Sequence, residues 1–250
     1  MGFLSVLNEN GLATLSISRG KVNALNEPLV EEIDKCFAAL EADPTVKGVI
    51  LRGTGSFFSF GFDVPELFDY PKARFIEFLN KFDALCTRIY LFPKPVVAAL
   101  NGHTTAGGCV IAIACDYRVM VTGKAKIGLN EITIGAPLFT GAVEMLRSLV
   151  GDRNAQTILL LGRLYSAEQA QILGLIDETA KEADFFERAK IVAREFSEKD
   201  RAPFEIVKRL LRKPVAERIA QETVVSIREF VDVWYSEDTR RKLREIKIHS

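Results

Sequence analysis

The chain has 250 residues, enough for one large domain with a full core, and its 48% apolar content is ordinary for a globular protein. Lysine plus arginine and aspartate plus glutamate balance at 33 each, so no overall field draws the chain to nucleic acid or to an anionic membrane. A few basic residues could still hold an anionic ligand locally. The cysteines, Cys36, Cys86, Cys109 and Cys115, show no C-x-x-C spacing, and the histidines are His103 and His249. That pattern argues against a Cys/His metal site and for buried free thiols.

The chain opens on a strand-like run, Phe3–Leu7, without the basic flank and long apolar stretch of a secretory signal. Met1-Gly2 invites comparison with a myristoylation site, but Val6 stands where Ser or Thr is wanted. The last residues, Ile248-His249-Ser250, are not a peroxisomal address. A reducing, cytoplasmic location is the expectation.

In chain order, Phe3–Leu7 and Leu12–Ile17 flank Asn8-Glu9-Asn10-Gly11, which reads as a hairpin. Asn26 is placed to cap a helix that starts at Glu27-Pro28 and runs to about Leu40, with Leu29, Ile33, Phe37 and Leu40 on one stripe; Asp43-Pro44 ends it. Three short apolar runs follow, each leaving at a glycine: Val46–Leu51 to Gly53, Val96–Leu100 to Gly102, and Val119–Val121 to Gly123. Their nearly continuous apolar character fits strands covered on both faces, and the coarse class is α/β.

Beyond about Ala180 charge rises, and Ala183–Ser197, Pro203–Leu211 and Val215–Tyr235 read as successive amphipathic helices broken by Pro203 and Pro214. Ile219, Val224, Ile227, Phe230, Val231 and Trp234 share a stripe on the last of these, suited either to the chain's own core or to a subunit interface.

Two clusters carry chemistry. Ser59-Phe60-Gly61-Phe62-Asp63 closes a loop that begins at Gly53-Thr54-Gly55; a dinucleotide-binding turn is excluded there, since the third glycine is missing and phenylalanines follow. Asn101-Gly102-His103-Thr104-Thr105-Ala106-Gly107-Gly108-Cys109 lies between a buried strand and an apolar helix at Cys109–Cys115. Glycines at a helix start leave backbone N–H groups exposed where the helix dipole favours negative charge, the requirement of an oxyanion site. Tight packing alone is the simpler use of such a turn.

Taken together, Asn23-Ala24-Leu25-Asn26, Phe58 to Asp63, Asn101-Gly102 to Gly107-Gly108-Cys109, and Cys115-Asp116-Tyr117-Arg118 resemble the crotonase (enoyl-CoA hydratase/isomerase) family in order and spacing. The resemblance covers nearly the whole chain and is weakest after Ala180. It implies a spiral of repeated ββα units over residues 1–180 and a helical oligomerisation region over 181–250, building a homotrimer or a hexamer of two trimers. It implies an acyl-CoA thioester as substrate, no cofactor (CoA being part of the substrate), no metal, and no nucleic-acid or membrane partner. On matching positions the oxyanion donors are the N–H groups of Phe62 and Gly107, and the substrate-contacting positions are Lys21, Asn23, Ala24, Phe60, Gly61, Gly108 and Val110.

Similar hydratases carry a glutamate where this chain has Val110, and a second one at the position of Glu131. Adding water needs carboxylates to activate the water and to protonate carbon, which Val110 cannot do. Moving a double bond from β,γ to α,β needs one base and an oxyanion hole. Gly128-Leu129-Asn130-Glu131, with Gly135-Ala136-Pro137 after it, looks like the Δ3,Δ2-enoyl-CoA isomerase branch, so Glu131 is the expected base. Hydration, thioester hydrolysis, decarboxylation or a catalytically silent binding role remain alternatives. Glu144 reads as a helix-surface charge, Asp63 as a loop-ordering residue, and His103 as structural. Phe60 stands where the family has a small residue and, with Phe57, Phe58 and Phe62, is expected to crowd the acyl pocket; Lys247 has no assigned place.

Overall fold

The computed structural model describes residues 2–248; Met1, His249 and Ser250 lie outside the described residues, and with them part of the readings made on the two chain ends. Strands β1 (Leu4–Glu9) and β2 (Leu12–Ile17) pair antiparallel with Glu9 opposite Leu12. Asn10 and Gly11 both take positive φ, 54° and 84°, the geometry a tight Asn-Gly hairpin demands.

From β2 onward the pairing is parallel. The larger sheet runs β1-β2-β3-β5-β7-β9, with β3 at Gly48–Gly53, β5 at Val96–Leu100, β7 at Tyr117–Val121 and β9 at Glu178–Ala180. A smaller parallel sheet holds β4 (Phe57–Ser59), β6 (His103–Thr105) and β8 (Ile127–Gly128). Each β3/β4, β5/β6 and β7/β8 pair sends its first strand to the large sheet and its second to the small one. A helix then returns the chain, which gives a spiral of ββα turns.

The turns between sheets are tight. A Cβ on Gly102 would lie 2.0 Å from the Ser56 carbonyl oxygen, so only glycine fits where β5 crosses into β6. Beside it, the Asn101 amide accepts from Gly53 N–H at 2.8 Å and donates to the Gly55 and Phe57 carbonyls, locking one turn of the spiral to the next.

Helix α1 (Glu27–Ala42) is capped by Asn26, whose Oδ1 accepts from Leu29 N–H, and buries the Leu29, Ile33, Phe37 and Leu40 stripe. Next come α2 (Val64–Phe68), α3 (Lys72–Leu91), α4 (Gly107–Ala114), α5 (Thr140–Leu161) and α6 (Ala167–Ile172). Helix α7 (Phe185–Ser197) packs on β3, β5 and β7, covering the large sheet.

The expected break at Pro214 is absent: α8 runs unbroken from Arg201 to Trp234 with Pro214 inside it. An internal proline costs a helix about 3 kcal/mol. Anchors on both sides hold this one. Lys208 and Arg212 pair with half-buried Asp116 before the proline, and Ile219, Ile227, Phe230, Val231 and Trp234 pack into the core after it, with α8 lying on α3 and α5. Pro203 lies in the first turn, where no intrahelical N–H bond is lost. The stripe expected on this segment is thus buried within the chain, except for Val224, which is 53% exposed. Helix α9 (Glu237–Leu243), capped by Ser236, is the last helix among the described residues.

Candidate active site

The three strands of the small sheet run parallel, so the loops leaving them emerge at one end. Register does the rest: Ser59 pairs with Thr104, and Thr105 with Gly128. Phe60–Phe62 after β4, Ala106-Gly107 after β6 and Asn130-Glu131 after β8 therefore converge. Thr105 Oγ1 donates to the Phe60 carbonyl at 2.6 Å and Ala106 N–H to the Gly128 carbonyl at 3.0 Å, tying the three loops together.

Gly61 has φ of 102°, and a Cβ there would sit 2.9 Å from the Ala106 Cβ and 3.0 Å from the Gly107 nitrogen. Only glycine lets the Phe62 loop lie this close to the start of α4. Ala106 itself holds φ 49° and ψ −126°, a conformation costly for a residue with a side chain. That strain turns the chain directly into α4 at Gly107. Among the described residues neither Phe62 N–H nor Gly107 N–H finds an acceptor in the chain. Both residues line one cavity, and Gly107 N–H belongs to the first turn of a helix, the end that favours negative charge.

This cavity has a volume of about 130 Å³. Glu131 opens a 3₁₀ turn, Glu131–Ile134, closed by Gly135 at φ 81°. Its carboxyl is buried against the cavity, Oε2 has no hydrogen-bond partner among the described residues, and burial pushes its pKa from the ordinary 4.5 up to about 8, opposed only by a bond from its own backbone N–H. Among the described lining residues it is the sole carboxylate. Val110, also in the wall, offers only methyl groups. The rest of the wall is largely apolar and aromatic.

The expected residues separate into three places. Glu131, Phe62, Gly107, Phe60 and Val110 line the cavity. Lys21 lies in an adjoining outer groove of about 530 Å³, together with Gly20, Thr54 to Phe57, Lys247 and Ile248. Phe60 lines both spaces and stands between them. Asn23, Ala24, Gly61 and Gly108, expected to contact the substrate, are instead buried and line neither space. Asn23, at φ 50°, uses its amide to accept from Arg19 N–H and to donate to the Thr54 and Phe57 carbonyls, so it holds the loop. Gly108 gives Ser59 its room, since a Cβ there would approach the Ser59 carbonyl oxygen to 2.6 Å.

Two expectations are corrected. The phenylalanine cluster does not act as one wall: Phe58 is in the core, Phe57 faces the outer groove beside His103, and Phe60 and Phe62 alone of the four reach the cavity. Glu144 is not a surface charge. It is buried, with Arg147 and Arg218 each 2.7 Å from one of its oxygens, and it does not line the cavity. Asp63 caps α2 by accepting from Glu66 N–H and pairs with Arg19, consistent with an ordering role. His103 is half-buried and burial lowers its pKa, which keeps it neutral.

Phe82, Phe139, Phe230, Trp234 and Ile246 also line the cavity, from four segments distant in sequence. Their trace in the chain is apolar spacing, the stripe that carries Phe230 and Trp234 on α8 and Phe75, Phe78 and Phe82 on α3, which core packing explains equally well.

Residues 8–245 match the family model described as enoyl-CoA hydratase/isomerase. The chain is 30% identical over 234 residues to mitochondrial enoyl-CoA delta isomerase 1 of Mus musculus, covering 93% of this chain and 81% of the relative. It is 31% identical over 247 residues to a probable enoyl-CoA hydratase of Bacillus subtilis (strain 168), covering 98% and 95%. The crystal structure of human mitochondrial delta3-delta2-enoyl-CoA isomerase superimposes with a TM-score of 0.91 at 27% identity, covering 97% of this chain and 95% of that one. An enoyl-CoA hydratase from Bacillus halodurans gives 0.89 at 25%, covering 98% and 100%.

Proposed function

The chain belongs to the enoyl-CoA hydratase/isomerase family, and from that premise we propose that it is an acyl-CoA isomerase that moves a β,γ double bond to the α,β position. The observation that carries the reading is Glu131, a lone buried carboxylate that lines the same small, largely apolar cavity as two unpaired backbone donors. The thioester carbonyl oxygen accepts from Phe62 N–H and Gly107 N–H, which lowers the cost of removing a proton from C2. Glu131 takes that proton, the dienolate charge rests on the oxygen, and the protonated Glu131 returns the proton to C4. Each oxyanion donor is worth roughly 2.7–4 kcal/mol in such sites. The sequence needs a base and an oxyanion hole, and no cofactor beyond the substrate's own CoA.

Relatives named for isomerisation and for hydration stand at similar identity, so the choice between them rests on the site. Hydration requires an activated water and a second acid–base group, and Val110 offers neither. The outer groove, with exposed Lys21 and Lys247, suits the anionic part of a CoA thioester. Among the described residues no helix is long and apolar enough to cross a membrane. A panel of 2-enoyl- and 3-enoyl-CoA thioesters, followed for isomerisation and for water addition, tests the assignment. Conversion of 3-enoyl- to 2-enoyl-CoA with little hydration is expected; efficient hydration of crotonyl-CoA overturns it.

We further propose a homotrimer, or a hexamer of two trimers. Ile132, Leu160, Leu161 and Leu164 are 40–69% exposed, and the spacing about Gly162 brings Ile132 beside the end of α5. This patch adjoins the Glu131 turn, and association there removes apolar surface from water.

A further inference from the structure

Five of the cavity's lining residues form a continuous chain of rings. Phe62 packs on Phe82 with centroids 4.9 Å apart, Phe82 on Phe139 at 6.0 Å, Phe139 on Phe230 at 6.3 Å, and Phe230 on Trp234 at 5.9 Å. A second layer backs them: Phe75 contacts both Trp234, at 4.7 Å, and Phe230, and Phe78 contacts Phe62. Trp234 is 1% exposed and Phe82 fully buried. Buried rings in mutual contact leave one another little room to change rotamer, whereas methionine adapts by turning about its flexible side-chain bonds, so this wall resists displacement.

We propose that this aromatic wall restricts the enzyme to short acyl chains, with Trp234 and Phe230 on α8 as the residues that set the limit. The inference rests on the acyl-CoA reading and adds chain length to it. The size argument is direct. An apolar protein cavity of about 150 Å³ takes up benzene, so ~130 Å³ holds about six carbons, and a twelve-carbon chain needs roughly twice that space. Lengthening the chain therefore demands displacement of stacked rings, each held by neighbours on two sides. The substrate class is accordingly a short, unbranched enoyl thioester whose terminal methyl group abuts the indole and phenyl faces of α8.

Two measurements test this. Isomerisation of 3-hexenoyl-CoA and 3-dodecenoyl-CoA is compared by kcat/KM, for the wild type and for Trp234→Leu and Phe230→Leu. The short substrate should be preferred by at least about tenfold, the scale at which pocket size discriminates. Either variant that remains folded should narrow the ratio by gaining on the long substrate. Independently, binding of the saturated hexanoyl- and dodecanoyl-CoA to the wild type is measured by calorimetry, which requires neither turnover nor a stable variant. Tighter binding of hexanoyl-CoA supports the limit. Equal or tighter binding of dodecanoyl-CoA, or equal kcat/KM for both enoyl substrates, overturns it. A protein that isomerises neither enoyl substrate yet prefers hexanoyl-CoA would instead sink the reaction assignment and leave the chain-length limit standing.

Discussion

Thr105 and Gly128 face each other in parallel register between β6 and β8, and this pair sets the geometry of the site. Beyond Thr105 the chain turns through strained Ala106 into Gly107; beyond Gly128 it reaches Glu131. The Ala106 N–H to Gly128 carbonyl bond, 3.0 Å, holds the two exits together. A buried carboxylate and an unpaired backbone N–H are thereby brought to one cavity by backbone pairing, without any side-chain bond between them.

Glu131→Gln keeps shape and polarity and removes the proton acceptor. Isomerase turnover should fall by roughly 10²–10⁴-fold, the scale of positioned acid–base catalysis. CoA-thioester binding should persist, since the Phe62 and Gly107 donors remain. Glu144→Gln is the control: held by Arg147 and Arg218 away from the cavity, it should leave kcat near the wild-type value. Near-normal turnover in Glu131→Gln would remove Glu131 from the mechanism.

Because burial raises Glu131 to about 8, the proposed base is largely protonated at neutral pH. In the wild type kcat/KM should rise with pH and level off above about 8. Stability should move the other way. A folded pKa above the unfolded one gives a contribution present below 4.5 that is lost as pH rises through about 8. Thermal denaturation should therefore show Glu131→Gln gaining on the wild type as pH increases; a constant difference in melting temperature across that window would contradict the assignment.

Gly61→Ala forces a side chain into a left-handed position and against Ala106 and the Gly107 nitrogen. The Phe62 loop must shift, and one oxyanion donor moves out of place. The expected loss in kcat is about 10²–10³-fold. Circular dichroism should show an intact fold, separating loss of alignment from unfolding.

Asp116 accepts from Val96 N–H and Lys208 through Oδ2 and pairs with Arg212 through Oδ1, joining the large sheet to α8. Asp116→Ala leaves two cations without their counter-charge in the interior. Breaking such a cluster typically costs about 3–5 kcal/mol, which urea unfolding would resolve. Burial already lowers the Lys208 pKa to about 8, so alkaline pH should narrow the gap between variant and wild type.

Analytical ultracentrifugation at micromolar concentration should give the mass of a trimer or hexamer. Leu160→Glu combined with Leu164→Glu places charge in the exposed patch beside the Glu131 turn and should shift the mass toward a monomer. A monomeric wild type would eliminate the proposed assembly.

The features that the chain declares locally were readable without coordinates. Asn10-Gly11 is a hairpin because two consecutive positive φ angles suit those residues, and Asn26 starts α1 because its side chain meets a free N–H three residues on. Glu131, Phe62 and Gly107 were legible through the order and spacing of short motifs. Helices α3 and α5 went unread in the sequence, and neither has a side-chain N-cap bond to announce its start. Other decisions depend on distant partners. Pro214 stays inside a helix since Asp116 and the aromatic core grip α8 on either side of it, and Glu144 is buried since Arg218 reaches it from α8. The cavity's far wall is assembled from Phe82, Phe139, Phe230 and Trp234, residues more than 50 positions apart in places, whose local pattern is that of any buried helix face. The motifs determined where Glu131 and the N–H groups of Phe62 and Gly107 stand along the chain; only packing among remote aromatic rings decided the size and shape of the cavity they line, because contact between rings is a property of the folded chain and not of its neighbours in sequence.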